Sequence, residues 1–428
     1  MTALFITLMV CLLLGVPIAA SLALGAIATF VFGSTTIITP IYIYKGMVDG
    51  LNSYPLLAIP LFIFSGLIMA RGGIARKLFE FFAYFIGKMT AGLPITSVIT
   101  CLFYGALSGS GPATTAAVGS MSVPYLQEMG YTKNFSAALV ATAGGLGVII
   151  PPSVPFIIYS LSANCSVSDM FIAGILPGIL IAVCLSIVTY IICKVKGEDK
   201  EKLMANYNKI HSNSLWGLVK DSFWALLTPV IILGGIYGGI VTPTEAAAIS
   251  VFYALFVSVF IYKSMSFKDV PKLLEETAKN LAPMMVVISV AVVFGRVLTL
   301  LNLPKMVTTY MTTAISSDFV ILLILNLILL VAGMLINTTS AILILTPVLL
   351  PIGTAIGMDV IHFGIMMVVN LAIGFVTPPV GTNLYVACGM FNIPITTMTK
   401  HTMPFIIAFL VALVIVTAVP ELSLFFIR

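Results

Sequence analysis

Two apolar segments of this chain, each long enough to cross a bilayer, are broken at their middle in the same way. The first carries Gly144-Gly145-Leu146-Gly147-Val148-Ile149-Ile150-Pro151-Pro152 and the second Gly374-Phe375-Val376-Thr377-Pro378-Pro379. A proline supplies no amide donor and clashes with the preceding turn, so no continuous helix runs through either pair. The residue before each pair is pushed toward extended geometry as well. In hydrocarbon, freed backbone groups are tolerated only where protein or a polar cavity satisfies them. Helices broken at mid-membrane in corresponding halves of a chain point to the ion and substrate sites of a secondary transporter.

Composition agrees with a membrane solvent. Charged residues make up 8% of the 428 and apolar ones 60%, against roughly 25% charged in a soluble domain. The surroundings are therefore membrane lipid, not nucleic acid. The apolar run from Leu4 to Phe32 exceeds a signal-peptide core of about 7–15 residues and has no basic stretch before it, so it reads as a first span. Six scattered cysteines, Cys11, Cys101, Cys165, Cys184, Cys193 and Cys388, read as small buried hydrophobes, not as a redox or metal cluster.

A span needs about 20 apolar residues. That rule gives spans at 3–33, 54–70, 134–162 (broken), 168–193, 222–240, 243–262, 281–301, 360–391 (broken) and 402–426. Segments 34–50, 72–89, 264–279 and 303–318 read as helices lying at the interface. Stretches 94–130 and 319–357 are interrupted at Ser108-Gly109-Ser110-Gly111-Pro112 and at Asn337-Thr338-Thr339. Both read as re-entrant hairpins with tips at mid-membrane.

The halves repeat at a fixed spacing. Pro124 and Pro351, Gly130 and Gly357, Gly147 and Gly374, Pro151 and Pro378, and Pro177 and Pro404 are each 227 residues apart. The expected fold class is an all-α polytopic membrane protein of two inverted repeats, each holding a hairpin and a broken helix. Expected divisions are 1–93 (scaffold and arm), 94–165 (transport elements), 166–318 (connecting and scaffold helices), 319–395 (second transport elements) and 396–428 (last span).

With residue 1 placed in the cytoplasm, Arg71, Arg76, Lys77, Lys88, Lys133, the lysines of 194–279 and Lys400 fall inside. Only Lys45, Lys305 and Arg428 fall outside, as the positive-inside rule requires. The expectation is a multi-pass inner-membrane protein with a cytoplasmic N-terminus and a periplasmic C-terminus.

Helices that end at mid-membrane aim unpaired carbonyls and amides at one point. Carbonyls suit Na⁺, and helix N-termini suit a carboxylate. Ser108, Ser110, Asn337, Thr338 and Thr339 add neutral oxygens; the competing reading is that small residues merely allow close packing. Span interiors are otherwise free of acids, which favours Na⁺ over H⁺ as coupling ion. Glu245 fits a capping box with Thr242. Arg296 lies in an apolar span, where a central Arg costs at least about 2.5 kcal/mol, and it binds a substrate carboxylate, snorkels or pairs structurally. His211, His362 and His401 read as interfacial residues. No histidine is spaced to activate Ser108, which sets aside an intramembrane serine protease, and no enzyme is expected.

Gly238-Gly239-Ile240-Val241-Thr242-Pro243-Thr244-Glu245-Ala246-Ala247 resembles the signature of the large membrane subunit of tripartite ATP-independent periplasmic (TRAP) transporters. Similar likeness is carried by Gly109–Thr115, by Ile344-Leu345-Thr346-Pro347 and by Thr377–Leu384. The resemblance implies Na⁺-driven carboxylate import by an elevator, in which hairpins and broken helices slide against a scaffold. It implies two partners, a small four-helix membrane subunit and a periplasmic substrate-binding protein, and no cofactor beyond Na⁺. Carried over, one Na⁺ site would use Ser108, Ser110, Gly111, Gly145, Val148 and Pro151. The second would use Gly333, Asn337, Thr338, Thr339, Gly374 and Thr377. Ser110, Thr115, Ser153, Arg296 and Thr338 would face the substrate. One departure stands out: relatives carry an acid where this chain has Asn337. The overall wording is nearest the sialic-acid group, with the C4-dicarboxylate group as runner-up.

Two other classes compete. A channel would show charged rings or filter loops, and a one-component carrier of the divalent-anion type would share the hairpins and broken helices. The chain has no GxxxxGK[ST] loop for an ATP-driven pump.

Overall fold

The structure, a computed structural model, describes residues 2–32, 38–211 and 215–427. Arg428, counted above among the external charges, lies outside the described residues. Every regular element among those described is helical, and eight helices are long and apolar enough to cross a membrane.

Both interrupted stretches are helical hairpins. In the first, Gly92–Ser108 ends at Gly109, whose φ of +59° only a residue without Cβ adopts freely, and Gly111–Glu128 returns. In the second, Asp318–Leu335 runs in, Ile336 is extended, and Thr338–Ala355 returns. The broken helices are equally clear. Lys133–Ala143 tightens into a 3₁₀ turn over Gly144–Val148 and resumes as Val154–Ala163. Val360–Gly374 stops and resumes as Thr382–Phe391. The Pro151-Pro152 and Pro378-Pro379 bonds are both cis.

Glycine sets how closely hairpin and break approach. A Cβ on Gly105 would meet the Gly147 Cα at 2.9 Å, and one on Gly374 would meet the Gly333 carbonyl oxygen at 2.2 Å. The Val380 amide then donates to the Met334 carbonyl at 3.1 Å. Around this core stand further helices, the longest of them the 31-residue strut Val270–Leu300. Scaffold helix Ala58–Arg71 reaches the first hairpin where the Tyr104 hydroxyl donates to the Gly66 carbonyl at 3.2 Å.

Two expectations are corrected. Residues 3–33 are not one span but two helices, Thr2–Leu13 and Ile18–Phe32, separated at Gly15 (φ +74°) and Pro17. They fold back on each other, so that a Cβ on Gly25 would lie 3.4 Å from the Leu4 carbonyl oxygen. Apolarity alone could not show the turn, since both arms and their junction are hydrophobic. Pro17 is 226 residues before Pro243, which opens the helix Pro243–Phe256, so this pair corresponds to Leu215–Tyr237 and Pro243–Phe256 in the second half. The second correction concerns 264–279. Most of it is no separate interfacial helix but the first turns of the strut, through which Pro283 passes without a break.

Glu245 closes the expected capping box: its carboxylate accepts from the Thr242 amide at 2.7 Å, while the Thr242 hydroxyl accepts from the Glu245 amide at 3.3 Å. The other interfacial pieces appear as Pro40–Leu51, Ile74–Ile86 and Leu303–Ala314.

Candidate functional site

The two hairpin tips meet. A cavity of about 560 Å³ is lined by Ser108–Ala113 from one tip and Asn337–Thr339 from the other. Phe375 and Thr382 close it from the second break, and the strut contributes Asn280, Pro283, Met284 and Val287. Among the described residues, none that lines it carries a charged side chain.

Each returning helix begins at the cavity with a side-chain cap. Ser110 Oγ accepts from the Ala113 amide at 3.5 Å, with Pro112 in the first turn where a missing amide costs nothing. Asn337 Oδ1 accepts from the Ser340 amide at 2.9 Å. The remaining first-turn amides and the positive ends of two helix dipoles therefore border one space. Such ends favour an anion without any basic side chain.

Behind the first tip, the Ser108 and Thr114 hydroxyls are 2.7 Å apart and buried. A Cβ on Gly147 would press the Thr114 hydroxyl at 2.4 Å and the Ser110 carbonyl oxygen at 2.7 Å. Ser108, Ser110 and the Gly144–Val148 turn thus lie together, with Thr114 between them. Sequence reasoning missed Thr114, although it lies one helical turn after Ser110. Gly145 and Pro151 are buried within the break, and Val148 lines the cavity. Behind the second tip, Gly333 and Gly374 are in backbone contact, and the Thr377 hydroxyl donates to the Ile373 carbonyl at 2.8 Å. These neutral carbonyl and hydroxyl oxygens are donor chemistry of the kind Na⁺ accepts, and none is a carboxylate.

The five substrate candidates are not brought together. Ser110 and Thr338 line the cavity. Ser153 is fully buried as the N-cap of Val154–Ala163, donating to the Val148 carbonyl at 2.5 Å. Thr115 is also fully buried, facing Gly144. Arg296 belongs to a different cavity. Two further lining residues escaped the sequence reading. Asn280 sits in the strut, where nothing in the pattern marks it. Thr382 lines the cavity while its hydroxyl is buried without a partner, and its position just past Pro378-Pro379 was a usable signal.

Comparison with known proteins places this geometry. The family model described as "Tripartite ATP-independent periplasmic transporter, DctM component" matches residues 5–422. The chain is 42% identical over 97% of its length to the isethionate TRAP transporter permease protein DctMQ of Oleidesulfovibrio alaskensis, of which it spans 64%. It is 41% identical over 87% of its length to the C4-dicarboxylate TRAP transporter large permease protein DctM of Pseudomonas aeruginosa, covering 86% of that protein. The sialic acid TRAP transporter large permease protein SiaM of Vibrio cholerae is 33% identical over 96% of this chain and 94% of its own. Among solved structures, the Alcanivorax borkumensis YdaH transporter shares the fold, with a TM-score of 0.64 over 88% of each chain at 13% identity.

Proposed function

The chain belongs to the DctM component family of tripartite ATP-independent periplasmic transporters, a family of membrane permeases and not of enzymes, and we propose that it imports an organic-acid anion coupled to Na⁺. The observation that carries this reading is the uncharged cavity where two capped helix N-termini and two glycine-packed helix breaks converge. It offers amides to an oxyanion, and neutral oxygens to a monovalent cation immediately behind.

Movement is by an elevator. The hairpins and broken helices form one glycine-packed body, and the strut and its neighbours form the other. The cavity lies at their junction, bordered by strut residues between Asn280 and Val287. Sliding along the strut would carry the bound anion across. The partners are a small membrane subunit and a periplasmic binding protein, the latter delivering the anion.

The acid groups of isethionate, C4-dicarboxylates and sialic acid share an anionic oxygen array, and the cavity's amides recognise that array, not the remainder. Sialic acid remains one cargo to test, beside succinate and isethionate. The fold-back of Thr2–Leu13 on Ile18–Phe32 bears on orientation. With the basic segments cytoplasmic in an inner membrane, two short crossings here would put the N-terminus outside, on the side of the C-terminus, whereas a single first span would put it in the cytoplasm.

The test is uptake of labelled N-acetylneuraminate, succinate and isethionate into proteoliposomes holding the chain and its small subunit. Each is measured with and without an inward Na⁺ gradient and a binding protein outside. Uptake requiring both supports the reading. Uptake requiring Na⁺ alone would make this a one-component carrier, and passive flux without Na⁺ would make it a channel.

A further inference from the structure

The basic side chain that the central cavity lacks stands in a second one. That cavity, of about 570 Å³, lies between Pro40–Leu51 and the strut on one side and, on the other, residues 158–164 with Leu343 and Pro347 of the second hairpin. Strut residues bordering it run from Ile288 to Leu300, whereas those of the first cavity run from Asn280 to Val287. At 1.5 Å per residue the two spaces follow one another along the strut, with centres roughly 15 Å apart. Scaffold borders both, and so do the elements that carry the tips.

Among the described residues lining either cavity, Arg296 is the one cation and Asp49 the one anion. Arg296 Nη1 lies 3.6 Å from Asp49 Oδ2, within ion-pair range but beyond a hydrogen bond, and the side chains are 43% and 63% exposed. So open a pair adds little to stability. The guanidinium fork keeps its donors available for a planar carboxylate or a sulfonate. Its mounting is rigid. A Cβ on Gly46 would meet Val293 Cγ2 at 2.9 Å and one on Gly50 would meet Val292 Cβ at 3.0 Å, while the Ser289 hydroxyl donates to the Met47 carbonyl at 2.9 Å. The helix bearing Asp49 is thereby clamped to the helix bearing Arg296. A structural ion pair needs no cavity beside it, and a snorkelling arginine needs no acid partner.

We propose that Arg296 holds a second anion subsite, separate from the hairpin tips, which takes the carboxylate or sulfonate of the cargo while Asp49 competes for the same guanidinium. The identity of the anion rests on the transport reading above; the existence of the subsite does not. Asp49 neutralises Arg296 between cargoes and keeps the anion from being held too tightly to leave.

The experiment pairs a binding measurement with transport. The purified full chain is titrated with succinate and with isethionate while its thermal unfolding midpoint is followed, for wild type, Arg296→Gln, Arg296→Lys and Asp49→Asn. The same variants are assayed for uptake with the small subunit and binding protein. Arg296→Gln is expected to reduce the anion-induced rise in midpoint by at least half, leaving what the hairpin tips bind, and to raise KM at least tenfold, with the Na⁺ response within twofold of wild type. Arg296→Lys recovers part of both. Asp49→Asn lowers KM several-fold, because the competing charge is gone. An anion-induced shift of wild-type size in Arg296→Gln overturns the subsite, and so does a wild type that shows no shift. Equal damage from Asp49→Asn and Arg296→Gln would make the pair structural and also overturn it. If the transport reading alone fails, uptake is absent in every variant while the shift still follows Arg296.

Discussion

Gly374 lies against Gly333 so closely that a Cβ on the former would fall 2.2 Å from the carbonyl oxygen of the latter. The second hairpin is seated on the second break at this contact, and no side chain separates the two backbones. Gly374→Ala forces one of them to move. The expected cost is about 1–3 kcal/mol of stability, as for other overpacked sites, together with a loss of uptake of tenfold or more. Gly389→Ala is the control, since nothing lies within 4 Å of a Cβ there. Uptake by Gly374→Ala equal to that of Gly389→Ala would show that the seat does not matter for transport.

The tips themselves are tested by Na⁺ titration. Ser110→Ala and Thr338→Ala should raise the Na⁺ concentration for half-maximal uptake several-fold, with Thr338→Ala near wild-type stability and Ser110→Ala losing no more than the roughly 1 kcal/mol of its cap. Thr114→Ala belongs in the same series, because its hydroxyl is 2.7 Å from that of Ser108. Wild-type Na⁺ response in all three would remove these hydroxyls from the ion sites.

Much of this site was legible because breaks in apolar helices are expensive and leave marks. Proline pairs, glycines and small polar tips at a constant spacing located both hairpins and both broken helices. What escaped was of two kinds. The turn at Gly15-Val16-Pro17 joins two arms as apolar as itself, so hydropathy ran straight through it. Side-chain direction escaped too. Thr115 and Ser153 lie on the right elements yet point into packed protein, one toward Gly144 and the other back onto Val148. Spacing gives the element and register, but which oxygen faces the cavity is decided by contacts between segments more than 200 residues apart, such as the Asn383 amide on the Ala141 carbonyl.

Asn337 separates a capping role from a charge requirement. Its Oδ1 accepts from the Ser340 amide at 2.9 Å and opens the returning helix of the second hairpin. Asn337→Ala should cost about 1 kcal/mol of stability, the usual worth of an N-cap, and lower uptake. Asn337→Asp retains the cap and adds a negative charge beside the anion's amides and the ion's oxygens. Cap chemistry alone predicts that Asp restores stability fully. A raised anion KM in Asn337→Asp, measured at saturating Na⁺, would show that the neutral residue is needed on the substrate side. An unchanged KM would confine Asn337 to capping.

The final prediction concerns the strap that follows the first repeat, Glu198 and the helix Lys200–His211. Glu198 Oε1 accepts from the Ala91 amide at 2.9 Å and from the Tyr131 hydroxyl at 2.5 Å, so one carboxylate ties both outer ends of the first hairpin. Ala91 is fully buried at a φ of +61°, a backbone conformation that L-residues rarely hold, and its amide has no helical partner to fall back on. Leu203 packs with Phe79, Leu93 and Leu126 and fixes the strap beside this latch. Glu198→Ala should therefore cost about 1–3 kcal/mol, the penalty of stranding a buried donor, whereas Glu198→Gln keeps an acceptor and should cost less. Burial, followed by the Glu198 contact, raises the Tyr131 phenol above its ordinary value. A folded state that holds this proton more tightly keeps its full contribution below the unfolded tyrosine value of about 10 and loses it as pH rises beyond that value. The thermal midpoint should consequently fall on alkalinisation past pH ~10 in wild type, and less steeply in Tyr131→Phe. Identical alkaline slopes in the two proteins would show that the latch does not depend on the phenol's proton.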